Sequence, residues 1–219
     1  MHKILYKDLE IWHVKKRGIK NSYISIDSHA KITLKTAYVS QSYIDELLSK
    51  KEPWLRKALK KVAQREVLHL NLEDEILLFG EVFSIDSEMA KPLAQMLCKI
   101  EPNTIGVQKA YNKFYLNLAK GYLPQRVDHF SHAMNLSYKG LRFKKLKSRW
   151  GSCTSTKEIT LNTELMKIEH SLIDYVIVHE LAHLVHMNHS KEFHALVEHY
   201  LPNHKSLRKR IKSISLYDE

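Results

Sequence analysis

The chain has 219 residues, enough for one large domain or two small ones, and its 44% hydrophobic and 27% charged content is ordinary for a globular protein. No apolar run approaches the roughly 20 residues of a membrane span, and the N-terminus lacks the apolar core of a secretion signal. Cys98 and Cys153 form neither a disulfide framework nor a paired-cysteine metal site, so we expect a cytoplasmic protein. The 35 basic and 24 acidic residues give a net charge of +11, which favours polyanionic partners such as nucleic acid, nucleotides or anionic lipid.

The first third of the chain predicts strands followed by a basic helix. Polar and apolar residues alternate over 23–28 and 31–35, on either side of a turn-like segment at 27–29, which is typical of a hairpin. From Val39 the spacing becomes helical. Ser40 or Ser42 can cap this helix, and Pro53 either divides it or begins a second one.

The middle of the chain predicts a second set of strands. Residues 74–88 have strand character with a turn at Gly80, and 106–119 read as another strand pair bent at 112–113. Residues 123–138 read as a helix, and 141–162 as strands around a turn at 154–157. The apolar residues of this segment change from odd positions (Leu141 and Phe143) to even ones (Leu146 and Trp150), which indicates a bulge or two separate strands. We therefore predict an α+β fold with a β-rich N-terminal region and basic helix at 1–120 and a second region at 121–219.

A helix predicted at 171–186 carries the candidate chemistry. Apolar residues surround nearly the whole cylinder, which is typical of a buried helix, and Ser171 and Asp174 are expected to cap its start. Within it, His179 and His183 are four residues apart and share one face, with Glu180 beside them. This H-E-x-x-H pattern predicts two zinc ligands and a general base. The alternative, hydrogen-bonded core histidines with a paired glutamate, is disfavoured by the cost of burying polar groups.

A catalytic zinc ion needs a third protein ligand. His186 lies seven residues after His179, about 10 Å along a helix, which is too far for one shared ion. The chain must turn first, and Asn188 tolerates the left-handed conformation that ends helices. We therefore expect His189 to reach the metal and His186 to lie behind the ligands or in solvent. Four competing ligands lie on the next predicted helix: Glu192, His194, Glu198 and His199.

Four segments together resemble one family. They are RWGSC at 149–153, ITLN at 159–162, IDYVIVHELAHL at 173–184 and MNHSKEF at 187–193. Their combination resembles the YgjP-like predicted metal-dependent hydrolases, which are related to the SprT-like and WLM zinc metallopeptidases. The resemblance implies a zincin-like metallohydrolase core at 121–219, with a β-rich part before it and His189 as the third ligand.

The chain departs from related families at two points. His186 stands where the metzincins carry glycine, so the chain does not resemble a metzincin. The four-cysteine zinc ribbon that follows the core in many SprT-like proteins is absent from this sequence. That difference weakens the transfer of a role in DNA–protein crosslink repair.

The expected mechanism is hydrolysis by one zinc ion per chain, held by His179, His183 and His189. The metal lowers the pKa of a water molecule toward ~7, and Glu180 takes the proton and passes it to the leaving group. A peptide substrate is expected to add as a strand to the segment 158–162, placed at the sheet edge.

Three further residues near the motif have open roles. Arg149 and Asn162 are candidate substrate or oxyanion contacts, and the alternatives are a solvated charge and strand-end hydrogen bonding. Cys153 is expected to be a buried thiol, the alternative being an inhibitory metal ligand.

The distribution of basic residues in the second half of the chain gives an indication of the substrate. Residues 129–157 contain seven lysines and arginines and no acid, and 204–213 add a second basic cluster on a predicted surface helix. Three functions are consistent with this pattern. The first is a metallopeptidase that cleaves peptides or proteins, including nucleic-acid-associated ones; the second is a zinc-dependent nucleotide phosphoanhydride hydrolase. The third is a non-enzymatic nucleic-acid-binding protein with a structural metal, which Glu180 disfavours because a structural site needs no base.

Overall fold

The computed structural model describes residues 2–27, 30–63, 75–100 and 104–214. The chain forms two compact units, Met1–Glu66 and Val67–Glu219. The predicted α+β class is confirmed, since a strand-rich N-terminal part precedes a largely helical remainder. The division suggested by the sequence after residue 120 differs from this one, because residue 120 lies inside a continuous helix.

The first unit contains a four-stranded sheet. Its strands are β1 (His2–Tyr6), β2 (Leu9–Lys15), β3 (Tyr23–Ile26) and β4 (Ile32–Thr36), in the order β1-β2-β4-β3. β2 and β4 run parallel and the other pairs antiparallel. The predicted hairpin is confirmed, with Ile24 opposite Leu34, while the centre of its turn at 28–29 lies outside the described residues.

One helix, α1 (Gln41–Ala63), covers a single face of this sheet. It continues through Pro53, so the proline neither divides it nor begins a new helix. The Ser40 hydroxyl accepts a hydrogen bond from the Tyr43 amide (3.3 Å), the capping contact predicted for one of two serines. Alternate strand residues pack against one stripe of the helix because strands repeat every two residues and helices every 3.6. The buried residues of this core are Leu9, Ile11, Ile32, Leu34, Ile44, Leu48 and Leu55.

The second unit begins with the predicted hairpin, β5 (Glu75–Leu78) and β6 (Glu81–Ser84), which turns at Phe79 and Gly80 as expected. Helices α2 (Lys91–Leu97) and α3 (Thr104–Ala133) follow. The strand pair predicted at 106–119 is wrong, since the segment is part of α3. Its buried residues recur every three or four positions, a helical period that the local tyrosine and valine content obscured. They are Ala110, Tyr111, Phe114, Tyr115, Ala119, Leu123, Val127 and Phe130.

A three-stranded sheet follows α3. Its strands are β7 (Gly140–Lys144), β8 (Gly151–Cys153) and β9 (Glu158–Asn162), in the order β7-β9-β8. Two separate strands therefore precede the turn at 154–157, which confirms that alternative over a bulge. β9 pairs with β7 in parallel and with β8 antiparallel. The prediction that 158–162 forms the sheet edge is wrong: β9 is central, and the edge strand that packs against the next helix is β8.

The chain ends in a short 3₁₀ helix (Thr163–Lys167) and helices α4 (His170–Ala182), α5 (Lys191–Tyr200) and α6 (His204–Ser213). α4 is buried on nearly all sides, as predicted, and packs against α3, α5, α6 and the sheet. Its N-cap is Glu169 without a side-chain cap bond, so the capping roles predicted for Ser171 and Asp174 are wrong. The Asp174 carboxylate instead accepts two hydrogen bonds from Arg126 on α3 (3.0 and 2.7 Å). None of the described helices is long and apolar enough to cross a membrane.

Candidate metal centre

The two histidines of the H-E-x-x-H segment project from the end of α4. α4 stops at Ala182, with His183 as its C-cap, so the helix is shorter than the predicted 171–186. The imidazoles of His179 and His183 lie 4.9 Å apart between ring centroids. Their spacing of four residues places both on one face of the helix, one turn apart.

A tight turn after α4 brings a third imidazole to the same point. The amides of Val185 and His186 both donate to the Ala182 carbonyl in a last turn, after which the chain continues as a short loop to α5. The chain leaves the helix well before Asn188, whose φ is not positive, so Asn188 does not supply the predicted helix end. Ser190 then caps α5 by accepting from the Phe193 amide (3.3 Å). As a result, His189 Nε2 lies 3.0 Å from His179 Nε2.

The hydrogen-bonding of His183 leaves one ring nitrogen available. Its Nδ1 lies 3.0 Å from the backbone carbonyl oxygen of His186. A carbonyl can only accept, so Nδ1 carries the hydrogen and Nε2 presents its lone pair to the cluster. Such a bond to a carbonyl is the usual way in which a metal-ligating histidine is oriented. His186 was expected either behind the ligands or in solvent; its carbonyl contacts the His183 ring, while its side chain is half-exposed.

An aromatic floor lies under the three imidazoles. Phe193 is fully buried, and its ring centroid is 4.9, 4.6 and 4.8 Å from those of His179, His183 and His189. Burial lowers the pKa of His179 to about 3, with smaller contributions from the neighbouring histidines and Arg208. Burial likewise lowers the pKa of His189. These two rings are therefore neutral at physiological pH, the state in which imidazole binds a metal.

Glu180 lies beside the cluster, against the edge strand. It is buried, and this burial raises the pKa of its carboxyl to about 8, although the positive charge of Arg149 opposes the shift. Gly151 on β8 makes room for it. A Cβ built at Gly151 would lie 2.8 Å from both Cγ and Oε1 of Glu180. The close approach of strand and helix therefore depends on the missing side chain at residue 151.

The donor set fits a divalent cation. One nitrogen from each of His179, His183 and His189 lies within 4.8 Å of the others, and no other described group of three such side chains converges in this way. Three imidazoles that converge in this way are a donor set that suits a divalent metal ion. Residues 20–214 match the family described as YgjP-like, metallopeptidase domain. The chain belongs to this YgjP-like family. It is accordingly a hydrolase of the metallopeptidase type.

Two solved structures are similar to part of this YgjP-like chain. The metallopeptidase zymogen abylysin of Pyrococcus abyssi is 26% identical with a TM-score of 0.38, and the match covers 40% of this chain and 90% of abylysin. The metallopeptidase zymogen jannalysin of Methanocaldococcus jannaschii is 22% identical with a TM-score of 0.37, and the match covers 40% and 91% of the two chains. No curated protein matches the YgjP-like chain.

Asn162 has a structural role in this YgjP-like chain. It is fully buried, and its Oδ1 accepts from the amides of Leu146 and Glu164 (3.2 and 3.1 Å). Its Nδ2 donates to the carbonyls of Leu146 and Arg149 (both 2.9 Å). The side chain has no group left for a substrate, so the predicted oxyanion or substrate contact is wrong at Asn162. The strand-end alternative applies, and Asn162 positions the loop that leads into β8.

We expect Asn162→Ala to destabilise the YgjP-like unit by about 2–4 kcal/mol, because it leaves several main-chain groups without partners in a buried site. Urea denaturation followed by circular dichroism measures the change. Asn203→Ala is the matched control, since Asn203 precedes α6 without a side-chain cap bond. Equal midpoints for the two variants would contradict the assigned role.

Arg149 and Cys153 flank Glu180 on the β8 side. Arg149 is exposed, and its charge acts on the Glu180 carboxylate, so it remains a candidate substrate contact. Burial, and secondly the charge of Glu180, raises the pKa of the Cys153 thiol to about 11. Cys153 is half-buried and does not belong to the three-histidine group, which favours the inert role. The competing ligands Glu192, His194, Glu198 and His199 do not join the three-histidine group.

Sequence reasoning missed two residues that shape the site. Phe193 was quoted only as part of a motif, although its place on the apolar face of α5 was a usable signal. Gly151 carried no signal in isolation, because its importance arises from contact with a residue 29 positions away.

Proposed function

We propose that this chain is a zinc-dependent metallopeptidase. In this proposal His179, His183 and His189 hold one zinc ion per chain, and Glu180 is the general base. The convergence of three imidazoles beside a buried carboxylate carries the proposal. A divalent cation bound there supplies Lewis acidity, lowering the pKa of water and polarising a carbonyl group.

The protein's own groups account for the remaining requirements. Glu180, on the turn that separates His179 from His183, can accept a proton from water and return it to a leaving amine. The raised pKa keeps its conjugate acid available near neutral pH, although a bound cation opposes this shift. Phe193 and the surrounding core keep bulk water from the base of the site. The His186 carbonyl holds the His183 ring in the ligating tautomer.

An extended peptide can be positioned by β8. Among the described strands, β8 pairs only with β9, so its other edge presents free backbone groups. Gly151 on β8 touches the Glu180 side chain. A peptide that adds to this edge therefore lies along the catalytic carboxylate, with main-chain hydrogen bonds that are independent of side-chain identity.

A second candidate, hydrolysis of nucleotide phosphoanhydrides, uses the same metal and base. Its supporting observation is cationic surroundings: Arg149 acts on Glu180, and Arg208 acts on His179 and His189. The same positive charges would also favour, as peptidase substrates, proteins that are bound to nucleic acid. A non-enzymatic protein with a structural metal is the least supported, because a structural site has no use for the buried carboxylate of Glu180 beside the three histidines. Peptide cleavage and phosphate release from nucleotides, assayed in parallel, separate the first two candidates.

Elemental analysis tests the metal assignment. On protein purified without chelator or nickel resin, we expect about one zinc per chain, lost in His189→Ala and kept in His199→Ala. His199 is the matched control because it lies on α5, exposed and outside the cluster. Full metal content in His189→Ala would refute the third ligand. Absence of metal from the wild type after zinc is added back would refute the hydrolase mechanism.

A further inference from the structure

The positive charge of the chain is concentrated in the first unit. Residues 1–66 contain 15 lysines and arginines and 7 aspartates and glutamates, which leaves +8 of the total +11. The remaining residues, 67–219, therefore contribute only +3. The excess positive charge therefore lies in a different unit from the three-histidine cluster, which belongs to the second unit.

Three of the seven acids of the first unit form ion pairs, two of them beside the β1–β2 turn; the exposed Asp45 and Glu46 on α1 are not among the three. Glu10 pairs with Lys3, Glu52 with Lys7, and Asp8 with Arg56, each at 2.6 Å. The β1–β2 turn contributes Lys7 and Asp8 to this group, and the middle of α1 contributes Glu52 and Arg56. The cations in these pairs are therefore committed to intramolecular partners.

The opposite end of the sheet carries cations without such partners. β2 and β4 finish there and β3 begins there, since Lys15 is opposite Thr36 and Tyr23 is opposite Lys35. The loop from Lys16 to Ser22 joins β2 to β3 at the same end. Five exposed cations lie at this end, and none forms an ion pair with a described acid: Lys15, Lys16, Arg17, Lys20 and Lys35.

Exposed aromatic rings accompany these cations. Tyr23, Tyr38 and Tyr43 are 56%, 69% and 42% exposed. Tyr23 neighbours Lys35 across the strand pair, Tyr38 follows β4 by two residues, and the Tyr43 hydroxyl lies 3.2 Å from that of Ser22. We call these three tyrosines and the five cations the basic aromatic end. Its large exposed hydrophobic side chains are all tyrosines, without an aliphatic group to insert into a bilayer.

We propose that the basic aromatic end binds single-stranded nucleic acid. Exposed lysines and an arginine, none of them paired with a described acid, attract the phosphate backbone and release its counterions on contact. Exposed tyrosine rings offer surfaces on which unpaired bases stack, whereas the bases of a duplex are already stacked on one another. The same chemistry serves DNA and RNA. This function is independent of the proposed peptidase activity, and it would hold a nucleic-acid-associated substrate on the enzyme.

Fluorescence anisotropy with the whole 219-residue chain tests the proposal. The probes are rhodamine-labelled oligothymidine and oligouridine of about 16 nucleotides, a duplex of equal length, and vesicles of phosphatidylglycerol and phosphatidylcholine. We expect one or both single strands to bind more tightly than the duplex and the vesicles, and the stronger of the two identifies DNA or RNA as the partner. Equal or tighter binding of the duplex, or binding of vesicles alone, overturns the proposal.

Variants locate the binding surface. Tyr23→Ala with Tyr38→Ala is expected to weaken single-strand binding at least about tenfold, while the matching Phe pair retains it because the rings still stack. Lys15→Gln with Lys35→Gln is expected to make the log–log salt slope shallower by about 1.4, at roughly 0.7 per phosphate contact. Lys50→Gln with Lys57→Gln, exposed on α1, is the matched control and keeps the slope.

Two results would place the binding elsewhere. Unchanged affinity in the Tyr→Ala pair, or equal loss in the Lys50 and Lys57 control, overturns the assignment to the basic aromatic end. Glu180→Gln is expected to bind oligonucleotides like the wild type. A failure of hydrolysis is thereby distinguished from a failure of nucleic-acid binding.

Discussion

Glu180→Gln is expected to retain the metal and lose about 10²–10⁴-fold in kcat/KM for peptide cleavage. Glutamine fills nearly the same space, so the three imidazoles and the Phe193 floor stay in place. It cannot accept the proton of water, however, which removes the base from a site that otherwise remains assembled. Initial-rate kinetics on a fluorogenic peptide, with metal content measured on the same sample, separate the two effects. Activity close to wild type would rule Glu180 out as the base.

The same variant is expected to lose activity but to change the stability of the metal-free protein in its favour at neutral pH. The pKa of Glu180 is raised from its ordinary value of 4.5 to about 8 in the folded chain. The folded state therefore holds a proton that the unfolded state releases, and Glu180 lowers stability progressively as pH rises from 4.5 to about 8. The slope is at most about 1.4 kcal/mol per pH unit. When the denaturation midpoint is plotted against pH, we expect the decline between pH 4.5 and about 8 to be less steep for Glu180→Gln than for the wild type. A slope equal to wild type would contradict the burial argument.

Gly151→Ala is expected to lower kcat by about 10²-fold while leaving metal content nearly unchanged. The added methyl group would overlap Cγ and Oε1 of Glu180, each at 2.8 Å, and Cδ at 3.0 Å. Because the Glu180 side chain is buried and crowded, it has to shift away from the three-histidine cluster. A displacement of about 1 Å at a catalytic group costs on the order of 10²-fold in rate.

Gly140→Ala is the matched control for this effect. Gly140 lies on β7 of the same sheet, and its nearest neighbour for an added Cβ is Glu158 Oε1 at 3.7 Å, an ordinary contact. We expect kinetics like the wild type. The decisive comparison is kcat for the two alanine variants at equal metal content. Indistinguishable values would mean that the approach of β8 to α4 does not set the position of the base.

Local periodicity determined the parts of this protein that depend on residues near each other in sequence. The four-residue spacing of His179 and His183 fixes their shared helix face, and alternation over 23–35 predicted the β3–β4 hairpin. The motifs at 149–193 were sufficient for the family. The same reasoning failed over 106–119, because β-prone tyrosines and a valine outweighed a helical period that becomes visible only once the buried face of α3 is known.

Contacts distant in sequence were decided by the tertiary structure alone. Residue spacing left His189 in competition with four residues of α5, and only the folded turn and loop between α4 and α5 bring its ring to His179. The sequence left Asn162 open between a substrate contact and strand-end hydrogen bonding, and its four hydrogen bonds to the backbone of residues 146–164 favour the second. The central place of β9 and the fit of Glu180 against Gly151 likewise depend on how separate elements pack. Sequence pattern encodes which face of an element is buried, whereas the partner of that face is selected by the packing of the whole unit.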